Sequence, residues 1–543
     1  MISTFKGTYY EKIFLSLKEH WIFFTCLAFW IWYLGFIHQY LQANIHQDSG
    51  ISFYTYLFSH HEEFKIDPFA YYSLYWIRGS LSLLIPVFFS KKFNLDASFF
   101  EILFLSFQIA FIFIYFYFSV FFFTKSKITS LLSLLLALFF NAWCINLAAY
   151  DMQIHTLLYT TIAVGLSSLA ILAYFYRLYW LLMLCIVSAC GVHPVIGFYD
   201  LVYLALLLLF SYNSKNFKKM LLPLTSAILL GSIIGTTLYF YSQNLPFEIV
   251  GLSRHWAAVN LHMHSIPWNG WLSIFLFMLA KFVAFILVAL LLGYWTKSFF
   301  WYQDPMGRSI IFGSVALALL SFYGIVTHSA FLTLLQGFRS LENIVIFIWP
   351  YLFLSGYNFV KNFLPAKSFL SLIFNFLKKN NGQLVSVLIL LILIYFLPLQ
   401  LGYFRFKSEL IPIMEAQLWT RKNTSPGEPI ITNLNWRTIS HRPIIRLIPD
   451  FTIELYSPYI PVAEYNDWIS KLYQMKSVTS LNYSSESLIT ESYKAFKELD
   501  REKLINIGHK YGACLHARRI NDPPLDLNIR FQNTKIIIYD VCQ

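Results

Sequence analysis

The sequence predicts an α-helical polytopic membrane protein of about eleven transmembrane helices, followed by a small extracytoplasmic C-terminal α/β domain. Three observations carry this. The 543 residues are 57% hydrophobic and 13% charged, with a mean hydropathy of +0.57, outside the range of soluble domains. Apolar runs of roughly 20 residues recur along residues 1–404. Beyond 404, over residues 405–543, "SELIPIMEAQLWTRKNTSPGEPIITNLNWRTISHRP" mixes a helical pattern, a Pro-Gly break and a strand-like run, and "IIIYDV" alternates as a strand.

The elements follow in order. Lys6, Lys12 and Lys18 precede the first long apolar run without a small-residue cleavage site, which reads as an uncleaved first span. Spans are expected near 20–42, 100–123, 128–147, 154–176, 178–192, 194–211, 221–243, 271–296, 309–327, 342–360 and 384–404. The run 71–90 is different, because Tyr71, Tyr72, Tyr75, Trp76 and Arg78 mark an interfacial helix as readily as a span. Basic residues decide: with 71–90 in the interface, Lys125, Lys127, Arg177, Lys215, Lys218, Lys219, Lys297, Arg308 and Lys361 all share the cytoplasmic side. Lys91 and Lys92 speak for the opposite choice. The N-terminus is then inside, and the first outer loop, 43–99, shares the outer face with the tail.

An excess of 40 Lys and Arg over 28 Asp and Glu reflects such loops, and no nucleic-acid partner is expected. Cys26, Cys144, Cys185 and Cys190 lie in apolar runs as small core residues. Cys514 and Cys542 lie in the polar tail and are expected to pair if it faces an oxidising compartment.

Ionisable residues gather on the outer face. The first loop, "HQDSGISFYTYLFSHHEEFKIDPFAYY", carries Asp48, Glu62, Glu63 and Asp67. A carboxylate at the membrane surface serves as a general base or holds a divalent cation such as Mg or Mn against a diphosphate. Solvated loop charges also need no special reason. Asp67 stands out, since "IDPFAYY" fixes it before a proline and an aromatic run. Asp151 and His155, at i and i+4, share one helical face as a second acidic site or as a helix cap. His193 in "GVHPVIGFYD" sits where two short runs break, lining a cavity or forming a turn. "RHWAAVNLHMHSIPW" gathers Arg254, His255, His262 and His264, and "LQGFRSLEN" supplies Arg339. Cations and imidazoles converging on an outward cavity suit a phosphate anion, or else touch the head groups of membrane lipids.

The long charged first loop, the acid in the second loop, the span number and the α/β tail resemble GT-C type membrane glycosyltransferases. "IDPFAYY", "HPVIGFY", "RHWAAVNLHMHSIPW", "LQGFRSLEN" and "LWTRKNTSPGEPIITNLNWRTISHRP" resemble bacterial members of that group over nearly the full length. The resemblance implies a GT-C-like domain over 1–404, a polyprenyl-phosphate sugar donor and an envelope glycan, lipid or protein acceptor. It also implies a bacterial inner (cytoplasmic) membrane setting with a periplasmic tail, and a first-loop base at Asp67 or Asp48. The paired acids often found after the first span are absent, Glu62-Glu63 coming closest. An O-antigen polymerase or ligase, a transporter and a non-catalytic envelope-assembly protein are the alternatives. A transporter would carry ionisable residues near mid-membrane.

Overall fold

The computed structural model describes residues 19–41, 51–67, 70, 74–140, 159–244, 272–297, 301–363, 403–434, 436–445, 494 and 496–542. The first run forms α1 (Trp21–Leu41) and is followed by α2 (Ile51–Ser59) and a 3-10 turn over His61–Phe64. Then come α3 (Leu74–Gly79), α4 (Leu81–Phe93), α5 (Ala97–Thr124), α6 (Lys127–Phe140), α7 (Tyr159–Phe175), α8 (Tyr179–Val192), α9 (Pro194–Ser211), α10 (Phe217–Gln243) and α11 (Leu272–Thr296). The bundle continues with α12 (Pro305–Val326), α13 (Ala330–Leu334), a 3-10 turn over Gly337–Leu341, and α14 (Glu342–Phe363).

Six helical stretches among the described residues are long and apolar enough to cross a membrane, and four others are apolar but shorter over the part searched. Each expected span up to 342–360 coincides with a helix, while nearly all of 384–404 lies outside the described residues. The run 71–90 breaks at extended Ser80 into α3 and α4. At 1.5 Å per residue, the 13 residues of α4 reach only about 20 Å, short of a hydrocarbon core of about 30 Å.

Helix α5 is the hub, packed against α1, α6, α7 and α14. Buried rings fill these seams, as where Phe23 of α1 stacks on Tyr117 of α5 at 4.5 Å between centroids. Helix α11 instead leaves Leu276, Phe277, Leu287, Leu291 and Tyr294 exposed, the surface expected of a lipid-facing helix.

Connectivity sorts the loops to two ends. At one end Ser80 Oγ donates to the Val192 carbonyl at 2.6 Å, and the Arg78 guanidinium lies 5.6 Å above the Tyr241 ring. These contacts seat α3 and α4 on the final turns of α8 and α10. The basic residues Lys125, Arg177, Lys215, Lys297 and Arg308 belong to the opposite end, because each lies one helix length away along the chain.

The tail begins with α15 (Tyr403–Asn423), which runs through the expected boundary at 404 and packs against α1. Its sheet comprises β1 (Ile430–Ile431), β2 (Ile444–Ile445), β3 (Leu515–Arg519), β4 (Ile529–Gln532) and β5 (Ile536–Asp540), with short helices α16 (Arg437–Ser440) and α17 (Arg501–Tyr511). The order is β2-β1-β3-β5-β4, parallel from β2 to β3 and antiparallel beyond. Both strand-like runs of the sequence are therefore strands. Cys514 and Cys542 are joined by a disulfide, fastening the end of β5 to the start of β3.

Because the first loop and the tail meet, they must share a side of the membrane. Single cysteines at exposed positions test this: Glu62→Cys and Lys422→Cys should react alike with an impermeant maleimide in intact cells, and opposite to Lys215→Cys. Glu62→Cys labelling together with Lys215→Cys, and not with Lys422→Cys, would overturn the arrangement.

Candidate functional site

Two polar constellations occupy the loop-and-tail end. The first joins "HPVIGFYD" to "LQGFRSLEN". His193 caps α9, its Nδ1 accepting the Ile196 N–H at 3.4 Å, and Pro194 follows at the first helical position, where its missing N–H is harmless. Gly197 is required by proximity, since a Cβ there would stand 2.4 Å from the Cα of Cys190. Gly337 likewise lets the 3-10 turn press onto α12, where a Cβ would lie 1.9 Å from the Leu317 carbonyl oxygen.

Two tyrosines of α9 tie the motifs together. The Tyr199 hydroxyl lies 2.6 and 2.9 Å from the carbonyl oxygens of Leu335 and Gln336, donating its one hydrogen to either, and Tyr203 shares hydrogen bonds with Ser314, Asn343 and the Ser340 carbonyl. Arg339, 5% exposed, donates from Nη1 to Gln336 Oε1 at 3.1 Å and lies within electrostatic reach of His193 and Tyr199. Glu342 is fully buried at the start of α14, also within reach of Tyr199. Two residues singled out in the sequence, His193 and Arg339, thus lie within electrostatic reach of each other at one buried end of the bundle.

The second constellation joins the first loop to the tail. Asp67 is fully buried and takes a two-pronged ion pair from Arg437 of α16: Nε to Oδ2 at 2.5 Å and Nη2 to Oδ1 at 2.7 Å. The Ala70 and Ile444 N–H groups donate to the same carboxylate at 3.2 and 2.9 Å. Four donors converge on this carboxylate, which is the condition of an anchor. Beside it Tyr56 donates to Glu63 Oε2 at 2.8 Å, and its ring lies between His60 (4.2 Å) and His441 (4.7 Å) in near-parallel stacks. Burial, and then the bond to Glu63, pushes the Tyr56 phenol up to about 12, so it remains a donor. Glu62 pairs with Lys65 at the exposed surface.

Tail residues Arg442, Trp436 and His441 make the quoted pattern a self-contained unit. Arg442 donates to the carbonyls of Arg421, Thr424 and His441, and Trp436 Nε1 to Thr420 Oγ1. Sequence reasoning missed Arg437, Tyr56 and His441, and passed over Asp200, buried within α9. Asp48, Asp151, His155, Arg254, His255, His262 and His264 lie outside the described residues. Among the described residues no three His, Cys, Asp or Glu side chains converge as a metal site. No protein-family model matches the chain, and no curated protein matches it in sequence.

Two outcomes follow from the second constellation. Asp67→Ala should lower stability by about 3–5 kcal/mol, since it strands a buried guanidinium, and Arg437→Met should recover much of that loss when combined with it. Additive losses in a denaturation cycle would remove the pair's anchoring role. Burial first, then neighbouring Arg421, Arg442 and His60, lowers His441 to about 3, and burial with Arg518 does the same for His516. Both stay neutral in the fold but protonate near 6.5 when unfolded, so their stability is complete above about 6.5 and lost as pH falls below it. Thermal unfolding of the tail should therefore come earlier at about pH 5 than at about pH 7; an unchanged or later transition would refute the linkage.

Proposed function

We propose that the chain is a GT-C type membrane glycosyltransferase, moving a sugar from a polyprenyl-phosphate donor to an envelope glycan, lipid or protein acceptor on the outer face of a bacterial inner membrane. One observation carries the reading: the convergence of Arg339 and His193 at the bundle end that also holds the first loop and the tail. The planar fork of a guanidinium suits phosphate oxygens. The positive-inside rule supports the outward placement of this end, and the Cys514–Cys542 disulfide fits an oxidising compartment.

In this reading the donor enters sideways between helices and its phosphate engages Arg339 and the imidazoles. The acceptor hydroxyl attacks the anomeric carbon, its proton passes to a carboxylate, and the lipid phosphate departs with the bonding electron pair. Asp67 positions the first loop beneath the tail through Arg437. The base then falls to Asp48 or Asp151, or to Glu63 once Tyr56 releases it. Any divalent cation would draw on Asp48, Asp151 or His155.

Transport is the second reading, favoured by a single observation, the carboxyl of Asp200 buried about a third of the way along a candidate span.

The test is donor binding in nanodiscs, with polyprenyl phosphate as the probe. Arg339→Ala should weaken binding by about 10–100-fold, from loss of a charge-assisted contact of about 1.5–3 kcal/mol, and Arg339→Lys should recover only part. Unchanged binding in a folded Arg339→Ala variant would dismiss the phosphate site.

A further inference from the structure

Asp200 lies one and a half turns or so into α9, 4% exposed, and its Oδ2 is 2.6 Å from Ser167 Oγ of α7. The same hydroxyl lies 3.0 Å from the Ala163 carbonyl oxygen. A hydroxyl has one hydrogen, and a carbonyl only accepts. If Ser167 donates to Ala163, the contact with Asp200 must be filled by a proton on the carboxyl. The opposite choice leaves a bare carboxylate inside the bundle, supported by one neutral hydroxyl, a costly state at this depth.

The surroundings decide between the two. Asp200 borders a small cavity whose other polar walls are Ser167, Tyr203 and Asn343, closed by apolar Ile186 and Ile310. Among the described residues, the titratable groups facing it are Cys185 and Cys190 from α8 and Tyr203 from α9 itself, and the cavity-lining residues of α7 and α12 carry no charge. Tyr203 bonds both Asn343 and the Ser340 carbonyl, linking the cavity to the turn that carries Arg339.

We propose that Asp200 is a proton-binding site inside the bundle, with a neutral carboxyl that donates to Ser167 and exchanges its proton with water admitted to the adjoining cavity. On release, the carboxyl O–H bond breaks, the proton passes to that water, and the electron pair stays on Oδ2. Ser167 then turns its hydrogen from Ala163 to Asp200, so the strength and direction of the α7–α9 link report the proton. The inference rests on neither functional reading and survives the failure of both.

Infrared difference spectroscopy of the full chain in nanodiscs tests it. At neutral pH the wild type should show one protonated-carboxyl stretch that is lost in Asp200→Asn, displaced in Asp200→Glu, and abolished reversibly as the pH is raised. If Asp200→Asn does not accumulate, the Glu variant decides alone, because it keeps the acid and must move the band. A wild type lacking the band, or a band unmoved by Asp200→Glu, overturns the protonated state. A band that persists at every pH the fold survives makes Asp200 a fixed donor and overturns proton exchange.

Discussion

The buried ion pair between Asp67 and Arg437 is the constraint on which the polar half of this protein depends. Its two partners are 370 residues apart and 0% and 1% exposed. Desolvating both charges is expensive, and their attraction offsets that cost only when geometry is good and remaining lone pairs are filled. Here the fork is bidentate, and the Ala70 and Ile444 N–H groups complete the carboxylate. Since Ile444 opens β2, one side chain fixes the first loop, α16 and the sheet edge at once. The pair acts more as a register pin than as a source of stability.

That pin explains which features were legible in the sequence and which were not. The spans were legible because crossing a bilayer imposes a length on apolar runs, and α5, α9, α10, α11 and α12 follow it closely. The doubtful run 71–90 is broken at Ser80, whose hydroxyl reaches Val192, a partner no periodicity names. "IIIYDV" gave a strand through alternation, and the placing of Cys514 and Cys542 in the polar tail, with an outward tail, was enough to expect their pairing. Asp67 was visible as a special acid, yet its state was not. A carboxylate facing water and one clamped by Arg437 have the same local sequence.

Asp200 shows the complementary blind spot. Within "HPVIGFYD" it reads as the polar end of a motif, but Pro194 starts a helix that carries it past the turn and into the bundle. Only the packing of α7 against α9 supplies Ser167. Tyr199 and Tyr203 were similarly hidden, because aromatic residues are abundant in this chain and only their hydroxyl partners distinguish a bridge from packing. Convergence of His193 with Arg339 follows from those bridges, which hold the 3-10 turn against α9.

The two constellations impose opposite demands on the same end of the bundle. Around Arg339 the polar groups are carried by helix termini and a tight turn, where backbone donors and acceptors are already fixed by the scaffold. Around Asp67 they are carried by a loop and a separate sheet, which have no such scaffold until they meet. Folding of the tail onto the membrane part is therefore coupled to burial of Arg437. A tail without Asp67 keeps its sheet core, built on Ile430, Trp436, Leu515 and Ile538, but must hold α16 with an unmatched cation. The tail is thus expected to fold as a sheet by itself and to acquire its docking surface only against the first loop, which makes that loop part of the tail's native structure.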